Sequence, residues 1–278
     1  TARSRGLGDV YKRQIIMLGF SDGTKDGGYL TANWSIYKAK EKLTKISRKY
    51  NIDISFFDGR GGPPARGGGN TNQFYSSLGK QIQADEIQLT VQGQTISSNF
   101  GTLQSCRYNL EQLLSASVNN KLFDSNSHFI DDEDRETFNV ISKISHQAYN
   151  DFKSHPKFLP YLENMSTLKF YAKTNIGSRP SKRKSSESFD FASLRAIPFV
   201  GSWSQLKQNV PGFYGVGYAL EKLNIDGKFE KAERLYNNNL FFRTLISNSM
   251  MSLEKSFFKL TDYMLSLIHI SEPTRPSS

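Results

Sequence analysis

The chain has 278 residues, of which 37% are hydrophobic and 22% charged, a mixture that excludes a disordered chain and is typical of one large globular domain. It has no apolar run of the roughly 18–20 residues that a membrane span requires. Its single cysteine, Cys106, excludes an intrachain disulfide, which favours the reducing cytoplasm. The formal net charge of +10 favours an anionic partner.

The two ends of the chain do not continue the patterns beside them. The first fourteen residues, TARSRGLGDVYKRQ, and the last fourteen, LSLIHISEPTRPSS, resemble translated sequencing-adapter read-through. A basic targeting peptide is the alternative for the first segment, but no apolar or amphipathic stretch follows Arg13 before a strand begins. We therefore expect residues 1–14 and 265–278 to be non-native and residues 15–264 to form the domain.

Short apolar runs and helical periodicity alternate along residues 15–264. Runs of strand length predict β-strands at residues 15–20, 52–57, 86–92 and 193–200. Helical spacing of apolar residues predicts helices at residues 29–50, 103–118, 135–152, 214–223, 229–236 and 240–264. This order predicts a mostly α-helical protein whose strands belong to a parallel sheet or a β/α barrel. In such barrels the active site lies on the loops that follow the strands.

The first of these loops is GFSDGTKDGG, residues 19–28. Asp22 and Asp26 offer hard oxygen ligands and Lys25 a compact cation, and the glycines permit unusual backbone angles. Such a loop suits a magnesium-bound substrate that carries a phosphate. A polar turn that only caps the next helix has the same spacing, so both interpretations remain open.

The second loop is FFDGRGGPPARGGG, residues 56–69, in which Arg60 and Arg66 stand among six glycines. Glycines let the main chain approach an anion, and each guanidinium can bind a carboxylate or a phosphate with two hydrogen bonds. The alternatives are a flexible surface loop and an RGG-type element that binds RNA. Because RGG elements repeat in disordered sequence and this one occurs once between a strand and a predicted helix, we expect no nucleic-acid partner.

A third basic segment is NIGSRPSKRK, residues 175–184, which is followed by SLRAIPF. Arg179 precedes a proline, which biases its backbone toward an extended form, and Arg195 lies in the second motif. The four histidines have no metal-ligand spacing, and no P-loop, nucleophilic triad or cysteine pair is present in the sequence. Hydrolase and zinc hypotheses therefore have no support.

Taken together, GFSDGTKDGG, FFDGRGGPPARGGG, LTVQGQTI, GSRPSKR and LRAIPF resemble phosphoenolpyruvate carboxylase in order and spacing, from about residue 15 to residue 264. The resemblance implies helices around an eight-stranded barrel, of which this chain would hold part. It also implies a cytoplasmic homotetramer that adds bicarbonate to phosphoenolpyruvate with Mg²⁺ or Mn²⁺ and releases oxaloacetate and phosphate.

The same resemblance implies roles for the residues of the first two loops. Asp22 matches a metal-ligand carboxylate and Lys25 an active-site lysine. Arg60 and Arg66 match the two arginines that hold substrate phosphate, bicarbonate or the carboxyphosphate intermediate.

Three residues further along the chain also match functional positions of the family. Arg179 and Arg195 match arginines that line the same site and bind substrate. Lys255, in MSLEKSFF, lies where the family places a lysine that binds the feedback inhibitors aspartate and malate.

The sequence departs from the family pattern at two positions. Asp58 stands where many members have histidine, and a carboxylate there would need a cationic neighbour to avoid repelling the substrate. Gln94 stands where many members have glutamate. The resemblance also implies that an essential histidine and a second metal carboxylate come from a segment that would precede residue 15. We therefore expect the isolated chain to be inactive.

Overall fold

A computed structural model of the chain describes residues 13–60, 62–91, 93–122, 130–171 and 190–262. Within these ranges the elements are, in chain order, β1 (Arg13–Leu18), α1 (Phe20–Gly27), α2 (Tyr29–Lys49), β2 (Asp53–Asp58), a 3₁₀ turn (Pro64–Arg66), α3 (Thr71–Ser76), β3 (Ile87–Leu89), α4 (Gln94–Phe100), α5 (Leu103–Leu122), α6 (Asp132–Ser154), α7 (Phe158–Pro160), a π-helical turn (Tyr161–Met165), α8 (Leu168–Tyr171), α9 (Ala196–Gln205), α10 (Val216–Ile225), α11 (Phe229–Asn238), α12 (Leu240–Leu253) and a second 3₁₀ turn (Phe258–Thr261).

The three strands form one parallel sheet in the order β1-β2-β3. In the register of this sheet, Leu18 is paired with Asp58, and Asp58 with Leu89. Parallel strands end at the same edge of a sheet, so the segments after β1, β2 and β3 all begin at one edge. The prediction of a mostly helical protein with parallel strands is confirmed, and the eight-stranded barrel stays a prediction.

The predicted strand at residues 193–200 is wrong, because α9 begins at Ala196 with Arg195 as its N-cap residue. A short buried apolar run fits a strand or a helix equally well by periodicity. Pro198 lies in the first turn of α9, where the missing N–H has no intrahelical partner to lose.

Two further boundaries differ from the sequence predictions. The segment predicted as a loop at residues 19–28 is helical over Phe20–Gly27. Each glycine disfavours a helix by about 1 kcal/mol relative to alanine, which is why the sequence favours a loop. Burial of Phe20 and Thr24 on one face of α1 outweighs that preference. The last long helix ends at Leu253, well before the predicted residue 264.

The core lies where α2, α6 and α12 pack on one another. The Trp34 ring of α2 stacks on Phe138 of α6 with centroids 4.0 Å apart, and Tyr37 packs on Phe241 of α12 at 4.6 Å. Trp34 also donates its indole N–H to Asn139 at 2.8 Å. The predicted helix 29–50 is therefore confirmed, and its aromatic face anchors the layer that carries the site.

Some apolar side chains remain exposed within the described part of the chain. Ile15 and Met17 of β1 are 57% and 64% exposed, and Leu110, Leu114 and Val118 recur at four-residue spacing along one exposed face of α5. Such stripes are typical of surfaces that contact other protein segments.

Candidate active site

Two glycine-rich loops and the LTVQGQTI motif begin at the carboxyl edge of the sheet. Gly19 follows β1 and leads into α1, which carries Asp22 and Lys25. Gly59 follows β2, and its N–H donates to the Leu18 carbonyl at 3.0 Å. The third segment leaves β3 at Thr90, whose N–H donates to the Asp58 carbonyl at 3.0 Å. The tertiary structure thus brings together segments that lie up to about 70 residues apart in the sequence.

Lys25 is buried and its ammonium group is bound on several sides. Its Nζ donates to the Phe191 carbonyl at 3.1 Å, lies 2.8 Å from the Asp26 carboxylate, and sits 4.3 Å from the centre of the Phe191 ring. Asp22 lies on the exposed side of the same helix. The predicted lysine is therefore a desolvated cation held at the site, and the predicted metal ligand faces solvent.

Lys153 is a cation near Lys25 that the sequence analysis missed. It donates to the Asp26 carbonyl, and its Nζ lies 4.6 Å from the centre of the Tyr149 ring. Partial burial lowers the pKa of Lys153, the Asp26 carboxylate opposes this shift, and Lys25 adds to it. Only the tertiary fold places the end of α6 beside α1.

Arg66 is buried in the 3₁₀ turn of the glycine-rich loop, which packs on α1. The Ser21 hydroxyl donates to the Arg66 carbonyl at 3.0 Å. Gly67 adopts a left-handed φ of +82°, and a Cβ there would lie 2.7 Å from the Phe20 carbonyl oxygen. Only glycine permits both this backbone angle and this close approach.

Arg60 is 1% exposed and lies inside the loop. Its Nη2 donates to the carbonyls of Gly68 at 3.3 Å and Asn70 at 3.4 Å, and its guanidinium carbon lies 3.7 Å from the centre of the Phe74 ring. Burial lowers the pKa of Arg60, but an arginine remains charged at neutral pH. Among the described residues its buried Nε has no hydrogen-bond partner, so this N–H is a donor that a ligand could use.

A cavity of about 40 Å³ lies beside Arg60. It is lined by Arg60, Gly62, Gly69, Thr71, Leu89, Val91, Asn99, Phe100, Asn109, Leu110 and Leu113. Its lining combines a buried cation with apolar side chains and a few polar ones, and its volume suits a few water molecules rather than a whole substrate.

Asp58 has the cationic neighbour that the sequence analysis required. Its Oδ2 lies 2.5 Å from Lys40 Nζ and accepts the Tyr75 hydroxyl at 2.9 Å. All three side chains are at most 2% exposed. Burial lowers the pKa of Lys40, an effect that the Asp58 carboxylate opposes, and burial raises the pKa of Tyr75. Helical periodicity over residues 29–50 groups Lys40 with the other basic residues on a face predicted to be solvated; this prediction is wrong for Lys40, whose side chain is buried against Asp58.

Tyr29 and Asn248 bind the end of the glycine-rich loop (residues 56–69) where it leads into α3. The Tyr29 hydroxyl donates to the Gly68 carbonyl at 3.3 Å and accepts from the Asn248 side chain at 3.1 Å. The Asn70 N–H donates to Asn248 Oδ1 at 3.4 Å. Burial raises the pKa of Tyr29 to about 12. Nothing in the sequence indicates these contacts, because Asn248 is 219 residues from Tyr29.

The remaining predicted residues fall in different places. Arg195 caps α9, which packs on α1 and on the 3₁₀ turn with Arg66, and its buried Nε has no partner among the described residues. Arg179 lies outside the described residues, as does the side chain of Gln94. Lys255 is exposed just after α12.

The carboxylates near the site do not complete a metal centre. In the part of the chain that the structure describes, no group of three or more His, Cys, Asp or Glu side chains is arranged to hold a metal ion. Asp22 is exposed, and Asp26 pairs with Lys25. The described residues therefore supply too few ligands, and we derive no chemical step through a metal.

Buried arginines and a buried lysine at the carboxyl edge of a parallel sheet define an enzyme site for small anions. They disfavour the RNA alternative, since an RGG element needs exposed arginines, whereas Arg60 and Arg66 are 1% and 5% exposed. The family model for phosphoenolpyruvate carboxylase matches residues 3–274, and the chain belongs to this family. The family consists of carboxy-lyases that fix carbon by joining phosphoenolpyruvate and bicarbonate, and its members generally depend on a divalent metal. No helix in the described ranges is long and apolar enough to cross a membrane.

Proposed function

We propose that the cations at this edge bind phosphoenolpyruvate and bicarbonate and stabilise the charge that moves between them. Both substrates are anions, so they repel each other until cations neutralise them. A bicarbonate oxygen attacks phosphorus and the bond to the enol oxygen breaks, which gives carboxyphosphate and the enolate of pyruvate. Carboxyphosphate then releases phosphate and carbon dioxide, and the enolate carbon captures the carbon dioxide to form oxaloacetate.

Each predicted residue has a role in this scheme. Arg60 and Arg66 hold the transferred phosphoryl group or bicarbonate, and Lys25 neutralises the developing enolate. Arg179 and Arg195 bind the substrate carboxylate and phosphate. Preorganised cations of this kind commonly supply the largest catalytic contribution. Asp22 is proposed as one ligand of the Mg²⁺ or Mn²⁺ ion on which the family depends.

The observation that carries the proposal is the burial of Lys25, Arg60 and Arg66 on segments that meet at one edge of the sheet. Burial excludes water, which would otherwise protonate the enolate and give pyruvate. The cytoplasmic location and the homotetramer that the resemblance implies stay predictions.

The test replaces the matching segment of a complete carboxylase with residues 15–264 of this chain. We expect the folded chimaera to form oxaloacetate in a bicarbonate- and magnesium-dependent reaction, and the isolated 278-residue chain to form none. Lys25→Ala, Arg60→Ala and Arg66→Ala should each lower kcat by about 100-fold or more. Lys42→Ala, which changes an exposed lysine of α2, is the matched control and should leave kcat unchanged. A folded chimaera without activity would refute the proposal.

A further inference from the structure

Tyr75 and Lys40 fasten the end of β2 to two different helices. The same oxygen of Asp58 accepts the Tyr75 hydroxyl at 2.9 Å and lies 2.5 Å from Lys40 Nζ. Lys40 belongs to α2 and Tyr75 to α3. All three side chains are at most 2% exposed, and the cavity that they line has a volume of only about 10 Å³, room for about one water molecule, so bulk water does not compete for these bonds.

Arg60 lies between the end of β2 and α3, two residues after Asp58. Its guanidinium stacks at 3.7 Å on the ring of Phe74, the residue that precedes Tyr75 on α3. Its Nη2 reaches the carbonyl of Asn70, the N-cap residue of the same helix. The position of the guanidinium therefore depends on how far α3 lies from the end of β2, and the Asp58–Tyr75 hydrogen bond sets that distance.

The balance of buried charges also indicates that Asp58 helps to hold Arg60 in place. Lys40 and Arg60 are two buried cations, and without Asp58 they would repel each other in a medium that screens charge poorly. With Asp58 the three groups carry one net positive charge, which an anion can neutralise.

We propose that Lys40, Asp58 and Tyr75 are positioning residues that hold the Arg60 guanidinium for anion binding. The catalytic consequence rests on the proposed function of Arg60, whereas the positioning itself is a property of the fold. Many family members have histidine at the position of Asp58. Here Lys40 and Tyr75 fix Asp58 in place beside Arg60, and Lys40 neutralises its charge.

The experiment reads the Arg60 guanidinium directly, by NMR of the full chain labelled with ¹⁵N-arginine. The Nε–H signal of Arg60 is assigned by its loss in Arg60→Lys. Tyr75→Phe removes only the hydroxyl donor and keeps both the ring and the Lys40–Asp58 pair. Asp58→Asn is the second variant. Tyr161→Phe is the matched control, because the Tyr161 hydroxyl makes a comparable hydrogen bond of 2.7 Å to Gln208 elsewhere in the fold.

We expect Tyr75→Phe and Asp58→Asn to shift the Arg60 signal and to accelerate its exchange with water by about tenfold, the effect of losing one buried hydrogen bond. Tyr161→Phe should change neither property, although its melting temperature should fall about as much as that of Tyr75→Phe. If the Tyr75–Asp58 hydrogen bond only stabilises the fold, Tyr75→Phe will leave the Arg60 signal unchanged, as Tyr161→Phe does. That result would overturn the proposal. The oxaloacetate assay of the chimaera tests the function of Arg60 separately, since an inactive folded chimaera would leave the NMR result intact.

Discussion

The Nζ of Lys40 lies 2.5 Å from the Asp58 carboxylate, and neither side chain is more than 2% exposed. Removing one member of a buried ion pair leaves the other charge uncompensated, at a typical cost of about 3–5 kcal/mol. We expect Lys40→Met to lower the free energy of unfolding by about this amount in urea denaturation. Lys40→Met combined with Asp58→Asn should recover part of the loss, because the carboxylate that Lys40→Met leaves unpaired is then removed, whereas the buried Arg60 loses the nearby negative charge.

Glu41→Gln is the control for this prediction. Glu41 belongs to the same helix and pairs with Arg135 at 2.8 Å, but both side chains are 29% exposed. Partly solvated pairs contribute about 1 kcal/mol or less. A Lys40→Met variant no less stable than Glu41→Gln would contradict the prediction.

Gly67 joins the glycine-rich loop to α1 through a close backbone approach. In Gly67→Ala the new Cβ would meet the Phe20 carbonyl oxygen at 2.7 Å and the left-handed φ of +82° would be strained. We expect the free energy of unfolding to fall by about 3 kcal/mol or more, the sum of dihedral strain and overpacking. Gly227→Ala isolates the strain, because Gly227 has a φ of +66° and no atom lies within 4 Å of the position that its Cβ would take. Equal losses in the two variants would show that the close approach contributes nothing.

The buried tyrosines make the fold sensitive to alkali. Burial raises the pKa of both Tyr29 and Tyr37 to about 12, from an ordinary value of 10.0. Between these values the folded chain holds protons that the unfolded chain has released, so stability is full below pH 10 and falls as the pH rises toward 12. The loss should reach up to about 3 kcal/mol per tyrosine.

Urea unfolding followed across this pH range, with tyrosinate absorbance as a second signal, checks the alkaline loss. Tyr29→Phe should give a shallower decline of stability with pH. Tyr218→Phe, which changes a tyrosine that is 59% exposed, should leave the decline unchanged. A free energy of unfolding that stays constant from pH 10 to 12 would show that burial does not raise the pKa of these tyrosines.

Lys255 provides a separate test of regulation in the chimaera. Lys255 is exposed, whereas Lys25, Arg60 and Arg66 are buried, so we expect Lys255→Ala to leave kcat unchanged. Loss of a charge-assisted hydrogen bond should weaken inhibition by aspartate and by malate by at least about tenfold. Lys259→Ala changes another exposed lysine nearby and is the control. Unaltered inhibition in Lys255→Ala would remove this residue from the effector site.

The family and the long helices were predictable from local sequence. Long motifs such as FFDGRGGPPARGGG are contiguous, and the family match confirms the resemblance that they carry. Amphipathic periodicity correctly predicted α2, α5, α6 and the helices after residue 214, because a helix that buries one face needs apolar residues at regular spacing. It failed at α1 and α9, where glycines or a uniformly apolar run leave no such periodicity and packing decides the conformation.

The interior of the site was decided only by the tertiary structure. Lys40 stands three residues after Tyr37 and therefore on the buried face of α2, but the many lysines around it hide this signal, and the sequence does not show which group would pair with its charge. Its partner Asp58 lies 18 residues away, and Asn248 supports the glycine-rich loop from 178 residues beyond Asn70. Sequence motifs specify which side chains are present and the local backbone that glycine permits. Burial and pairing depend on which distant surfaces pack together, and it is burial that turns an ordinary lysine and aspartate into a fixed support for Arg60.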